Sequence, residues 1–134
     1  MPLPSLVTVP FDPSRPIIVL DVQLQGTTRK LVSLALDTGA TYVIIPWDVA
    51  ESLGYRPERS RERIEMVTAS GVERAPLITL QSVRVAGLGA RRVKALVHDL
   101  PPRSFVDGLL GLSFLRNFRF CLDFQRGLLE LYSR

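Results

Sequence analysis

The stretch Leu31-Val32-Ser33-Leu34-Ala35-Leu36-Asp37-Thr38-Gly39-Ala40-Thr41-Tyr42-Val43-Ile44-Ile45 decides how this chain of 134 residues is read. Two apolar, strand-like runs, Leu31 to Leu36 and Tyr42 to Ile45, are separated by a carboxylate and a few small residues. The carboxylate is thus delivered into a turn at the end of a buried strand. Burial disfavours a charged carboxylate, so an ionisable group placed there is either satisfied by a specific partner or functional. Thr38 and Gly39 supply a hydroxyl, backbone N–H groups and freedom at φ, which a positioned carboxylate needs. By itself Asp37-Thr38-Gly39 also fits a plain turn in which the Asp accepts backbone N–H bonds.

A second stretch changes the balance: Asp107-Gly108-Leu109-Leu110-Gly111-Leu112-Ser113-Phe114-Leu115-Arg116-Asn117-Phe118. Together the two motifs resemble those of the aspartic proteases, in particular the single-domain, retropepsin-like branch. That family carries Asp-Thr/Ser-Gly-Ala/Ser near one end and an apolar-apolar-Gly segment near the other, followed by a short helix. Leu109-Leu110-Gly111 fills the second role, and Cys121-Leu122-Asp123-Phe124 resembles the closing segment of pepsin-like lobes. The resemblance spans Ile17 to Tyr132.

It implies an all-β, retropepsin-like acid-protease fold: a closed, barrel-like half-lobe with a flap hairpin and one or two short helices. It further implies Asp37 as the catalytic carboxylate, with Thr38 and Gly39 in support. Gly39, Ala40, Thr41 and Leu109 would meet substrate from below, and Ala69, Ser70 and Gly71 would meet it from the flap. Two carboxyl groups held about 3 Å apart share one proton, because like charges so close cannot both ionise. The chain has one Asp-Thr-Gly, so the economical solution is a homodimer with Asp37 of each subunit at the two-fold axis. Asp107 is the intrachain alternative, but it lacks the Thr-Gly support. Viral enzymes commonly pair an Asp two residues after the Gly with an Arg directly after the apolar-apolar-Gly element. Thr41 and Leu112 stand there instead, so both halves of that ion pair are missing together.

Residues 1–16 hold five of the ten prolines (Pro2, Pro4, Pro10, Pro13 and Pro16) and read as an extended arm preceding a protease domain over 17–134. A strand is expected over Ile17 to Gln25, with Ile18, Leu20, Val22 and Leu24 on one face, turning at Gly26-Thr27-Thr28 into Arg29 to Leu36. Pro46 opens a short helix, Trp47 to Leu53, which Gly54 ends. Glu62 to Thr68 and Val72 to Leu80 flank Ala69-Ser70-Gly71 as a hairpin, and Val83 to Val85 and Arg91 to Val97 bracket a turn at Gly87-Leu88-Gly89. A helix over Phe114 to Phe118 precedes a last hairpin, Phe120 to Phe124 with Leu128 to Tyr132. The edges of the terminal strands, from the arm and from Leu128 to Tyr132, are natural places for two subunits to join a sheet.

Composition narrows the function classes. One His and one Cys exclude Cys/His zinc sites, no metal or other cofactor is called for, and Cys121 cannot form an intramolecular disulfide. Gly111-Leu112-Ser113-Phe114-Leu115 lacks the second Gly of a nucleophile elbow, and His98 would be the only base for a serine triad. The net charge of +4 resides almost wholly on Arg. The run from Arg56 to Arg63 is interleaved with Glu, and Arg91-Arg92 with Lys94 forms a smaller patch; both read as solvated surface without the aromatics of a nucleic-acid site. No run approaches a membrane span, and Met1-Pro2-Leu3-Pro4 lacks signal-peptide character. The expectation is a cytoplasmic, bacterial enzyme acting on peptides, a membrane anchor on a longer precursor aside. Its rival is a non-catalytic protease-fold module for peptide binding or dimerisation.

Overall fold

The alternation of Leu20, Val22 and Leu24 with more exposed neighbours becomes the inner wall of a barrel: all three are at most 2% exposed. The computed structural model describes residues 6–133; Pro2 and Pro4 of the arm and Arg134 lie outside them. Its strands are β1 (Leu6–Pro10), β2 (Val19–Gln25), β3 (Arg29–Leu36), β4 (Val43–Ile45), β5 (Arg63–Thr68), β6 (Gly71–Val85), β7 (Leu88–Val97), β8 (Gly108–Leu110), β9 (Phe118–Asp123) and β10 (Leu128–Ser133). Two short helices, α1 (Trp47–Ser52) and α2 (Leu112–Leu115), and a 3-10 turn, Pro57–Arg59, complete the described elements.

Strands β2, β3, β8, β4, β7 and β6 are neighbours in that order, and a β2–β6 pairing closes them into a six-stranded barrel. Closure removes the free edges an open sheet would expose. Strand β5 lies outside the ring on β6, and the two form a hairpin whose last pair is Thr68 with Gly71. The barrel is filled by aliphatic side chains and by Phe114, which is fully buried and lies 4.8 Å from the Phe118 ring. No helix among the described residues is long and apolar enough to cross a membrane.

Several local expectations shift. Strand β6 is continuous through Gln81-Ser82, where two strands were expected, because β7 pairs with it on both sides of that point, from Leu77 to Val85. The turn beyond it is Ala86-Gly87, both at positive φ as tight hairpins favour, and Leu88 already pairs with Val85. Helix α2 starts two residues and ends three residues earlier than expected. The Asn117 side-chain amide donates to the carbonyls of Ser113 and Phe114, ending the helix, and Phe118 then pairs with Ser133.

The largest correction concerns the terminal strands. Leu6 to Pro10 pairs antiparallel with β10, and β9 pairs with its other side, giving a three-stranded sheet in the order β1-β10-β9. Strand β10 therefore has no free edge to offer a partner; β1 and β9 do. Strand β9 reaches β10 through a short turn, and β1 can pair with it because Leu6 to Val9 contain no proline and keep their N–H donors.

Tyr55 braces one irregular point of the barrel. The pair Gln81–Arg92 is skipped in the β6–β7 ladder, and the Gln81 N–H donates instead to Tyr55 Oη at 2.9 Å. Burial pushes the Tyr55 phenol above its ordinary pKa, opposed by that N–H bond. Tyr55→Phe would leave the Gln81 amide without this partner, so the variant is expected to lose about 1–3 kcal/mol in a urea titration. An unchanged midpoint would show that water replaces the phenol at no cost.

Candidate active site

Asp37 follows β3 directly, and its loop is held by the second motif from three sides. The Asp37 N–H donates to the Leu110 carbonyl at 3.1 Å, the Leu112 N–H to Ala40 O at 2.8 Å, and the Ser113 N–H to Thr41 O at 2.9 Å. Strand β8 runs parallel to β3, with Leu36 opposite Leu110, and antiparallel to β4, with Ile44 opposite Leu109. Both strands that flank the Asp37 loop are thus hydrogen-bonded to the Gly108-Leu109-Leu110 segment. The two motifs, far apart in the chain, form one structural unit.

Gly111 is where they cross most closely. A Cβ there would lie 2.6 Å from the Ala40 carbonyl oxygen and closer still to that of Tyr42. Gly39 serves differently from the sequence expectation. Its φ is not in the left-handed region; its N–H donates to Asp37 Oδ1 at 2.8 Å, and a Cβ would stand 3.2 Å from the same oxygen. Clearance, rather than freedom at φ, is what this glycine provides.

Asp37 is half-buried, Thr38, Gly39 and Thr41 are exposed, and Ala40 is half-buried. The Gly39 N–H leaves most of the acceptor capacity of the Asp37 carboxylate open, and no hydrogen bond joins it to a second acid among the described residues. Asp107 is engaged elsewhere: its Oδ2 accepts from the Ser33 N–H at 2.9 Å, and its own N–H donates to Ser33 O at 2.8 Å. It ties the start of β8 to the middle of β3. No group of three His, Cys, Asp or Glu side chains able to hold a metal occurs among the described residues.

Leu109 and Tyr42 belong to a small apolar cluster built on Ile44, Ala75, Leu77 and Leu96, which also receives Ile64 and Met66 from the β5 side of the outer hairpin. That hairpin therefore packs at its base on the strands that carry the Asp37 loop. Its far end is open: Ala69, Ser70 and Gly71 are exposed, and Val67 and Val72 are 89% and 65% exposed. Beside it, Glu62 pairs with Lys94 of β7 at 3.9 Å, and Glu73 of β6 lies 3.6 Å from His98 Nδ1, just past the end of β7.

Ser113 is the residue that sequence reasoning passed over. Its hydroxyl accepts from the Val43 N–H at 2.9 Å and donates to Lys94 O at 2.7 Å, bridging α2, β4 and β7. The available signal was a lone hydroxyl in an otherwise apolar run, Leu109 to Leu115. The Ser113 N–H, next to Leu112, also donates to Thr41 O, so backbone hydrogen bonds brace this crossing.

A six-stranded barrel thus presents Asp-Thr-Gly on a loop crossed by an apolar-apolar-Gly strand. The family described as "gag-polyprotein putative aspartyl protease" matches residues 20–117, and the chain belongs to that family. The fold is retropepsin-like: the crystal structure of a retropepsin-like aspartic protease from Rickettsia conorii superposes with a TM-score of 0.72 at 23% identity, covering 99% of this chain and 97% of that one. A Sinorhizobium relative, described as an uncharacterized protein in the cobV 5′ region, is 30% identical over 105 residues. The match covers 73% of this chain but 44% of that relative's length.

Proposed function

We propose that the chain is an aspartic endopeptidase that works as a homodimer, with Asp37 of each subunit forming the catalytic dyad. The observation that carries this reading is the half-site itself: a half-buried carboxylate on a braced loop, with Asp107, its intrachain rival, committed to Ser33. In the dimer one carboxylate takes a proton from water as the water oxygen attacks the peptide carbonyl carbon. The other, protonated, gives its proton to the carbonyl oxygen. Proton return to the amide nitrogen then lets the C–N bond break.

Thr38 and Gly39 support the dyad in this reading. Gly39, Ala40, Thr41 and Leu109 line the inner subsites, and the β5–β6 hairpin acts as a flap, with Ala69, Ser70 and Gly71 over the substrate. Retropepsin-like fold and family membership support these roles, as does the packing of the hairpin base against Leu109. The partner subunit joins along β1 or β9, the free edges of the terminal sheet.

Ala40 and Leu109 offer the residues flanking the scissile bond no charge to pair with, so cleavage should prefer apolar side chains there. A peptide library with a dominant requirement for Lys, Arg, Asp or Glu at those two positions would contradict the assignment. Dimerisation sets a second expectation. Specific activity per chain should fall on dilution through the dimer dissociation constant, followed by sedimentation beside kinetics. A species that is monomeric at the assay concentration yet fully active per chain would require a second carboxylate from within the chain.

The deciding experiment is peptide-library cleavage at acidic and neutral pH with Asp37→Asn as control. Cleavage that disappears in the variant supports the enzyme. Saturable peptide binding without turnover by the wild type would instead favour a non-catalytic module.

A further inference from the structure

The inward–outward alternation of β6 and β7 breaks at one place. On β6, Leu80 and Val83 are both fully buried although they are three residues apart, and on β7 Val93 is buried while Ala90, also three residues away, packs on the same core. In an unbroken strand, residues an odd number apart lie on opposite faces. The skipped Gln81–Arg92 pair lies inside both intervals, and Arg92 sits at φ 57°. That is left-handed backbone, disfavoured for a residue with a Cβ and retained where the surroundings impose it.

The irregularity gathers polar side chains on the outer surface. A pocket of about 350 Å³ is lined by Gln25, Gln81, Ser82, Arg84, Arg91 and Arg92. Three of its six lining residues are arginines and none is acidic. Arg84 donates to the Gly87 carbonyl at 3.2 Å, and none of the three enters an ion pair among the described residues. Ser82, 7% exposed, is the one buried residue with a polar side chain among the described residues, and its hydroxyl donates to Gln25 Oε1 at a long 3.4 Å. Uncompensated guanidinium groups beside under-used hydroxyl and amide donors form a donor-rich, acid-free concavity. Arginine matches phosphate oxygens with paired N–H bonds, and such charge-assisted bonds are the strong ones.

We propose that this pocket binds a small phosphate-bearing anion, inorganic phosphate or a phosphomonoester, through Arg84, Arg91 and Arg92, with Ser82 and the two glutamines as neutral donors. It lies at the turn end of the β2–β3 hairpin, where Gln25 pairs with Arg29, whereas Asp37 follows the opposite end of β3. The site is thus separate from the cleft and does not rest on the protease reading.

Calorimetric titration of the full chain at neutral pH, with chloride holding ionic strength constant, tests this with two probes, inorganic phosphate and glycerol phosphate. One saturable site is expected, and the tighter probe identifies the source of the phosphate group. Arg91→Gln with Arg92→Gly should weaken binding by roughly tenfold or more, since each lost charge-assisted bond is worth about that factor. Glycine accepts the Arg92 backbone conformation, so this variant should fold; Arg84→Gln alone, at an exposed side chain, is the second probe of the same site. Removing two exposed arginines elsewhere, Arg59→Gln with Arg103→Gln, should leave affinity unchanged. Absence of a saturable site, undiminished affinity in both pocket variants, or an equal loss in the control would overturn the proposal.

Discussion

Replacing Asp37 by asparagine is expected to reduce peptide turnover by between about 100-fold and 10,000-fold, the range that positioned acid–base groups contribute. An amide cannot take the proton of the attacking water, and in a homodimer the substitution removes both members of the pair at once. The fold should survive. The one local hydrogen bond of the side chain, from the Gly39 N–H to Oδ1, can be kept by the asparagine carbonyl oxygen. The thermal midpoint should therefore move little while activity disappears, and that separation is the informative result. Turnover near the wild-type rate, in protein free of contaminating protease, would place the base elsewhere. Asp107 would be a poor replacement, since it already accepts from the Ser33 N–H.

The second large effect is expected at Gly111. An alanine Cβ would press on the carbonyl oxygens of Ala40 and Tyr42, both backbone atoms of the loop that carries Asp37. The Ala40 carbonyl cannot withdraw freely. Ala40 O accepts from the Leu112 N–H at 2.8 Å, and the next residue, Thr41, accepts from Ser113. Relief would require the two motifs to separate, so Gly111→Ala should cost about 3 kcal/mol or more, the upper end for overpacking. That is a large share of the roughly 5–15 kcal/mol that holds a typical domain together. Urea unfolding at fixed protein concentration reads the loss directly. Activity should fall with it, because displacement of the loop misplaces Asp37. A Gly111→Ala protein of wild-type stability would mean that the loop and β8 slide apart at little cost, and the bracing described above would carry less weight.

Much of this was legible in the residues themselves. The apolar alternation in Ile18 to Leu24 and the apolar run Leu31 to Leu36 declared strands, and Pro46 and Gly54 marked the ends of α1, because local backbone chemistry decides such features. The paired motifs, Asp37-Thr38-Gly39 and Leu109-Leu110-Gly111, were enough to indicate the family and the fold. Other features could be decided only by contacts distant in sequence. No local pattern announces that β6 runs unbroken through Gln81-Ser82, since β7 and Tyr55 supply the partners that hold it there. Ser113 shows no role until β4 and β7 arrive on either side of its hydroxyl.

The terminal strands show the division most clearly. By itself the sequence determined that Leu128 to Tyr132 is a strand and that the proline-rich arm is extended, because alternation and fixed φ act within a few residues. Only the tertiary structure decided that Leu6 to Pro10 lies on one side of that strand and β9 on the other, moving the free edges to β1 and β9. The physical reason is that a backbone donor accepts any strand of suitable direction. Which strand arrives is set by how the whole chain closes, not by the residues that bear the hydrogen bonds.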